Sequence, residues 1–378
     1  MKVLLLNANI HGIGTFTRAL HFGRALALAG HSVTLCTVSP DNLWRTRVRV
    51  EKNVKVVEMP RIGYKSLPGW GSGWLDIYYR IQLILRGDFE LVYGFEYQPN
   101  VAWPVYFTKK NAGFRFVSDW CDWYAGESNS FRGIHLAHQI DAFFEERIRF
   151  QAEKVTVIST LLRDRAIKIG IPSGKIIIIK EGVDTQYMKP MHQIEMRKYF
   201  GIPEQVPIIT TITDKDMHIP IMILNGVRKQ VPETKLLVIG QHDPALADAA
   251  CNSGLEKEII ETGYVSDDNL PRYLACSDLC FLPMTNTIRN QGRWPQKIND
   301  FLAAGKATVI SPVGDVVRIF QDYPVGSLAN STDEFVDIIS SLLRNPAKRI
   351  KCEQAARQSA LEQLSWDVLT DKITGILS

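Results

Sequence analysis

The 378-residue chain carries 44 Lys and Arg against 40 Asp and Glu, a formal net charge of +4, and is 46% hydrophobic and 22% charged. That composition excludes disordered, collagen-like and coiled-coil chains and supplies enough apolar mass for two packed cores. The charge is too slight to argue for nucleic acid, and no run of 18 apolar residues offers a membrane span.

Val3 to Leu6 is a short apolar run, as expected of a parallel strand buried on both faces. Asn7, Asn9 and His11 cut it off before a signal-peptide core could form. Gly12-Ile13-Gly14-Thr15 follows in a turn-rich loop. A helix is expected over 15–29, ended by Gly30, and a second strand over 32–38, which completes a βαβ unit. Further strands are read at Val54–Val57, Leu91–Tyr93, Phe114–Val117 and Val155–Ile158, with a helix over 140–151. A second series begins at Lys175–Lys180 and continues at 208–212, 235–239, 258–262, 279–282 and 307–310. Ser331-Thr332-Asp333-Glu334 has the form of a capping box ahead of Phe335, Ile338, Ile339 and Leu342. Two alternating series predict an α/β chain of two doubly wound Rossmann-like domains. The expected division is 1–171 and 172–358, with a C-terminal helix over 359–378 returning to the first domain. The six cysteines show no CxxC spacing, so reduced thiols in a cytoplasmic protein are the simplest reading.

Ligands of such sheets bind beyond the carboxyl ends of the strands. Three loops there carry polar residues. Gly12 and Gly14 open a helix N-terminus, where free amides attract anions, although the third glycine of a dinucleotide fingerprint is absent. Ser118-Asp119-Trp120-Cys121-Asp122-Trp123 places two carboxylates among aromatics. The alternative is tryptophans packed on the core with Asp119 as a cap. Pro295 suits a first helical turn, with Arg293 and Lys297 expected to bracket it as a phosphate site. Asp300 follows on a neighbouring face, and a Lys297–Asp300 surface pair is the alternative there. Asp214-Lys215-Asp216 has the form of a metal-binding DxD, and His135 and His138 share a helical spacing; a chance match and a surface pair are the simpler readings. Between Leu43 and Lys65 seven basic residues face two acidic ones. They lead into a Gly- and Trp-rich run from Leu67 to Trp74. The run reads either as a solvated edge or as a basic, aromatic surface for an anionic membrane or acceptor.

In chain order these pieces resemble the family-4 glycosyltransferases of the GT-B fold. The resemblance rests on Gly12 to Thr15 with Gly30-His31-Ser32-Val33, Glu153 to Ser159, and Glu181-Gly182-Val183-Asp184. It continues through Leu237 to Gly240, Gly263-Tyr264-Val265, and Pro295 to Gly305. Pro99 to Pro104 and the Asp119-Trp120-Cys121-Asp122-Trp123 run are similar to a subgroup with a DWxDW loop. The resemblance implies two Rossmann-like domains facing across a cleft. The implied reaction is retaining transfer of a sugar from a nucleoside-diphosphate sugar to a glycan or lipid-linked acceptor, with no obligatory metal or other cofactor. It implies the donor on the second domain, at Gly240, Val265, Pro295 and Asp300, with Asp300 on the ribose. The family's other signature acid lies eight positions earlier, which here is Gly292. Lys215 is the candidate for the diphosphate after the first donor-domain strand, and Asp119 or Asp122 would face the sugar. A non-catalytic sugar-nucleotide-binding relative or partner subunit, and a sugar-nucleotide epimerase, are the alternatives. The expected location is cytoplasmic, peripheral to the inner face of the membrane.

Overall fold

The computed structural model describes residues 1–62, 73–124, 135–213 and 217–377. Lys65, Trp70 and the Asp214-Lys215-Asp216 triplet lie outside the described residues, as do the side chains of His135 and His138. The chain divides into two units. The first comprises Met1–Lys180, Thr287–Trp294 and Leu369–Ser378, and the second Glu181–Asn286 and Pro295–Val368.

The first unit is built on an eight-stranded sheet. Its strands are β1 (Lys2–Ile10), β2 (Ser32–Val38), β3 (Arg47–Glu51), β4 (Val54–Met59), β5 (Leu91–Phe95), β6 (Arg115–Trp120), β7 (Lys154–Val157) and β8 (Ile176–Ile178), in the order β3-β4-β2-β1-β5-β6-β7-β8. Val3, Leu4, Leu5 and Leu6 are wholly buried because β1 is central, paired in parallel with both β2 and β5. The helix Phe16–Leu28 links β1 to β2, turning Phe16, Ala19, Leu20, Phe22 and Leu26 inward. The chain runs to one side of β1 for β2 and to the other for β5, so the order reverses between β1 and β5. The only antiparallel pairing among the described strands of this sheet is β3 with β4 at its edge. Arg47, Arg49 and Glu51 alternate there with Val48 and Val50, which are exposed.

The second sheet is parallel: β9 (Ile208–Ile212), β10 (Lys235–Ile239), β11 (Ile259–Glu261), β12 (Leu279–Leu282), β13 (Thr308–Ile310) and β14 (Gly326–Leu328), ordered β11-β10-β9-β12-β13-β14. Its order reverses between β9 and β12. Ile209, Leu236, Val238, Phe281 and Val309 form the core with Ile221, Leu224, Phe335, Ile339 and Leu342 from the helices. The helix Thr332–Arg344 starts where its sequence says: the Ser331 hydroxyl accepts the Glu334 amide. Glu334 reaches back one residue farther than a standard box, to the Asn330 amide at 2.8 Å.

Three expectations need correction. The boundary expected at 171/172 falls after Lys180, because Ile176–Ile178 pairs with β7 and so completes the first sheet instead of starting the second. Asp119 is not in the loop after β6 but inside that strand, paired with Phe95 of β5 and Thr156 of β7. The run from Met284 to Arg293, read as a polar loop, contains the short helix Ile288–Gly292 capped by Thr287, and it belongs to the first unit. Residues 369–377 also belong there, with the Arg115 guanidinium donating to the Leu377 carbonyl.

Candidate functional site

At the end of β1 the loop is stitched by its own side chains. Asn9 accepts the Thr15 amide at 3.1 Å and the Thr15 hydroxyl at 2.7 Å, and Asn7 donates to that hydroxyl at 2.6 Å. Gly12 and Gly14 both take left-handed φ, +80° and +61°. A Cβ on Gly14 would sit 2.7 Å from Cγ of Asn9, so only glycine fits the stitch.

At the carboxyl end of β6, within the strand and just past it, lie two acids with sharply different roles. Asp119 is wholly buried and fully engaged. Its two oxygens take Nε and Nη2 of Arg18 at 2.9 and 3.1 Å. The Thr156 hydroxyl and the Cys121 thiol also donate to it. Arg18 also donates to the carbonyls of Ile179 and Lys180. Asp119 therefore joins β6, β7 and the segment after β8, and its oxygens are committed to the scaffold. Asp122 is different. It is half-buried, with the Tyr124 hydroxyl at 3.5 Å. Burial raises its carboxyl above the usual range, while Arg289 and Arg293 pull it back down. Those arginines sit on and just after the helix Ile288–Gly292, which the Ser159 hydroxyl anchors by donating to the Gly292 carbonyl at 2.6 Å. Arg293 is thus a neighbour of Asp122 within the first unit.

In the second unit the helix Gln296–Ala303 follows N-cap Pro295. Lys297 donates to the Thr213 carbonyl at 2.7 Å, just past β9, where the sheet order reverses. Thr213 Oγ1 lies 3.2 Å from the carbonyls of Ile239 and Gln241, beyond β10. Gly240 takes φ +129°, and a Cβ there would come within 2.6 Å of Thr213 Oγ1. Gly240 also forms an isolated bridge with Gly263, two residues before half-buried Val265. Asp300, one turn after Gln296, accepts from the Gln296 amide at 3.2 Å. Its carboxyl is pushed up to about 7, first by burial and then by the charges of Asp267 and Glu181, against the Gln296 hydrogen bond. The helix is tied down by Asn299, which donates to the Glu181 carbonyl at 2.9 Å. Lys297, Gly240, Val265, Pro295 and Asp300 thus follow the carboxyl ends of strands of one sheet.

Sequence reasoning missed Arg18 and Asp267. The apolar stripe of the first helix hid Arg18, whose partner lies 101 positions away. Glu181 was legible as part of a motif, but its charge acts on Asp300 only through the fold. Among the described residues no group of three His, Cys, Asp or Glu could hold a metal ion, and no helix is long and apolar enough to cross a membrane.

Two family models match the chain: Glycosyltransferase Family 4 over residues 13–187 and Glycosyl transferases group 1 over residues 209–345. No curated protein matches the sequence. Among solved structures, sucrose-phosphate synthase from Thermosynechococcus elongatus superposes with a TM-score of 0.78 at 15% identity, covering 100% of this chain and 98% of the other. Anabaena HepE in complex with UDP and glucose gives 0.73 at 14% identity, over 100% and 99%. WaaG, a glycosyltransferase involved in lipopolysaccharide biosynthesis, gives 0.73 at 15% identity, over 99% of each chain. One model falls on each half of the chain and the neighbours span both, so the chain belongs to the group 1, family 4 glycosyltransferases and has their GT-B fold.

Proposed function

We propose that this glycosyltransferase moves a sugar, with retention of anomeric configuration, from a nucleoside-diphosphate sugar to a glycan or lipid-linked acceptor. The observation that carries the reading is the arrangement beyond β9. Lys297 is fixed on the Thr213 carbonyl at the switch of strand order, one turn before a carboxyl whose titration is displaced to about 7. Asp300 accepts from the ribose hydroxyls, Val265 lies by the base, and Gly240 leaves room for the donor. The departing diphosphate gains charge as the sugar bond breaks. Lys297 and the amides at the start of its helix oppose that charge, together with Arg293 and with Lys215, which lies outside the described residues. One fixed donor of this kind is worth about 2.7–4 kcal/mol in acyl transfer. Asp122 faces the transferring sugar; Asp119 supports it from within β6. Anabaena HepE was crystallised with UDP-glucose, which favours UDP-glucose as the first donor to try.

Incubation with a panel of nucleotide sugars tests this, following nucleotide release with and without acceptor and the anomer of the product by NMR. Acceptor-dependent release is the expected result. Binding without release would favour the non-catalytic alternative, and interconversion of the sugar without release would favour an epimerase. The protein is further proposed to be cytoplasmic and to meet an anionic membrane surface through the β3 edge, where Trp44, Val48 and Val50 are exposed among Arg45, Arg49 and Lys55.

A further inference from the structure

Strand β5 ends beside the reversal of strand order in the first sheet, and the next residue is Glu96. Its backbone takes φ +72°, a left-handed value that costs any residue with a Cβ and that persists only where surrounding contacts hold it. The side chain is 1% exposed. Its Oε1 accepts the amides of Cys121 at 2.8 Å and of Asp122 at 3.2 Å. The Glu96 amide donates in turn to the Asp119 carbonyl at 3.2 Å. A second buried carboxylate, Glu145 of the helix His135–Phe150, accepts the Trp120 indole N–H at 2.8 Å and the Tyr124 amide at 3.2 Å. Arg149 of the same helix places Nη2 3.7 Å from Glu96 Oε2 and its guanidinium 4.7 Å over the Trp120 ring.

Two acids from different elements thus grip four donors of one short segment: the Trp120 indole and the backbone amides of Cys121, Asp122 and Tyr124. Backbone amides at a strand end are ordinarily satisfied by water or by a neighbouring strand. Satisfying them with buried carboxylates is expensive. Burial pushes the Glu96 carboxyl well above the usual range, Arg149 opposes that, and Asp122 and Glu145 reinforce it. A strained backbone and two buried acids are a large outlay for a loop whose position does not matter.

We propose that Glu96, with Glu145 as its counterpart, is a positioning residue: it holds the amides of Cys121 and Asp122 so that the Asp122 carboxylate is presented in one fixed place. The inference rests on the reading above in which Asp122 faces the transferring sugar.

The test uses the full chain and its best donor from the panel, with Glu96→Ala, Glu96→Gln, Asp122→Ala and the double variant Glu96→Ala/Asp122→Ala. Alanine keeps the backbone strain but removes both the acceptor and the charge beside Arg149, whereas glutamine removes that charge and keeps a carbonyl for both amides. Glu96→Ala should lower kcat about tenfold or more while UDP and GDP affinity, measured by calorimetry, stays within about twofold. Glu96→Gln should recover most of the turnover. The double variant should be no slower than Asp122→Ala alone, as expected when one residue acts through the other. Wild-type turnover in Glu96→Ala beside a dead Asp122→Ala would overturn the positioning role and leave the Asp122 reading standing. Full turnover in Asp122→Ala would remove both. Should Glu96→Ala not fold, Glu96→Asp keeps the charge beside Arg149 but shortens the reach by one methylene. It must then show the same loss of kcat, and a folded Glu96→Asp with wild-type turnover ends the inference.

Discussion

Burial pushes the Asp300 carboxyl up to about 7, and the sign of the consequence follows. Its folded-state value of about 7 lies above the ordinary 3.8, so between those limits the native state holds a proton that the unfolded chain has released. Stability from this group is therefore full below about pH 4 and declines as pH rises through 7. Asp300→Asn should flatten that part of a pH–stability curve measured by denaturant unfolding. Nucleotide binding should run the other way. Ribose hydroxyls donate best to an ionised carboxylate, so UDP or GDP affinity should rise from pH 6 to 8 and binding should release protons, seen as buffer-dependent heat in calorimetry. Asp300→Ala should weaken that binding by about 1.5–3 kcal/mol; an unchanged constant would remove Asp300 from the site. Asp119 calls for a different measurement. Replacing it with Ala strands Arg18, which is 1% exposed, and should cost about 3–5 kcal/mol in chemical unfolding.

Among the elements, those that follow local rules were legible in the sequence. The strand 32–38 and the helices beginning near 16, 296 and 332 stand where periodicity, Gly30, Pro295 and Ser331 put them. The strand at Arg47–Glu51 was not read: its charges and valines alternate at period two, but both faces are exposed, and the five residues lie inside a basic run that was read for its charge. The short helix before Arg293 was hidden too: five residues are too few to show a period, and the first unit stabilises it through Ser159. For the same reason the sequence grouped Arg293 with Lys297, two residues that the fold assigns to different units. Arg293→Ala should lower kcat more than donor affinity if the guanidinium acts on the growing phosphate charge. Equal loss in both would make it only a partner of Asp122. At the β3 edge, Arg47 is paired with Asp41 and Arg49 with Glu58, each at 2.8 Å. A contact made there with anionic vesicles should weaken with salt and should weaken further in Val50→Asp. Equal binding to neutral and anionic vesicles would leave only a solvated edge.

For the whole molecule, the alternation of strands and helices was enough to read two doubly wound sheets, and ordered motifs were enough to read the family. The path of the chain was not legible. Residues 1–180, 287–294 and 369–378 make one unit and 181–286 with 295–368 the other, so the chain changes unit four times, after Lys180, Asn286, Trp294 and Val368. This sets an order for biosynthesis. A ribosome delivers the eight strands of the first sheet early, but the segment carrying Arg289 and Arg293 arrives more than a hundred residues later. The stretch that meets Arg115 through Leu377 emerges later still. The nascent first unit must wait, partly assembled, while the second is translated. Arrested chains ending at residue 180, 300 or 368 should therefore be cut by protease within 1–180 more readily than residues 1–378 are, with the largest gain in resistance only after residue 377 has cleared the exit tunnel.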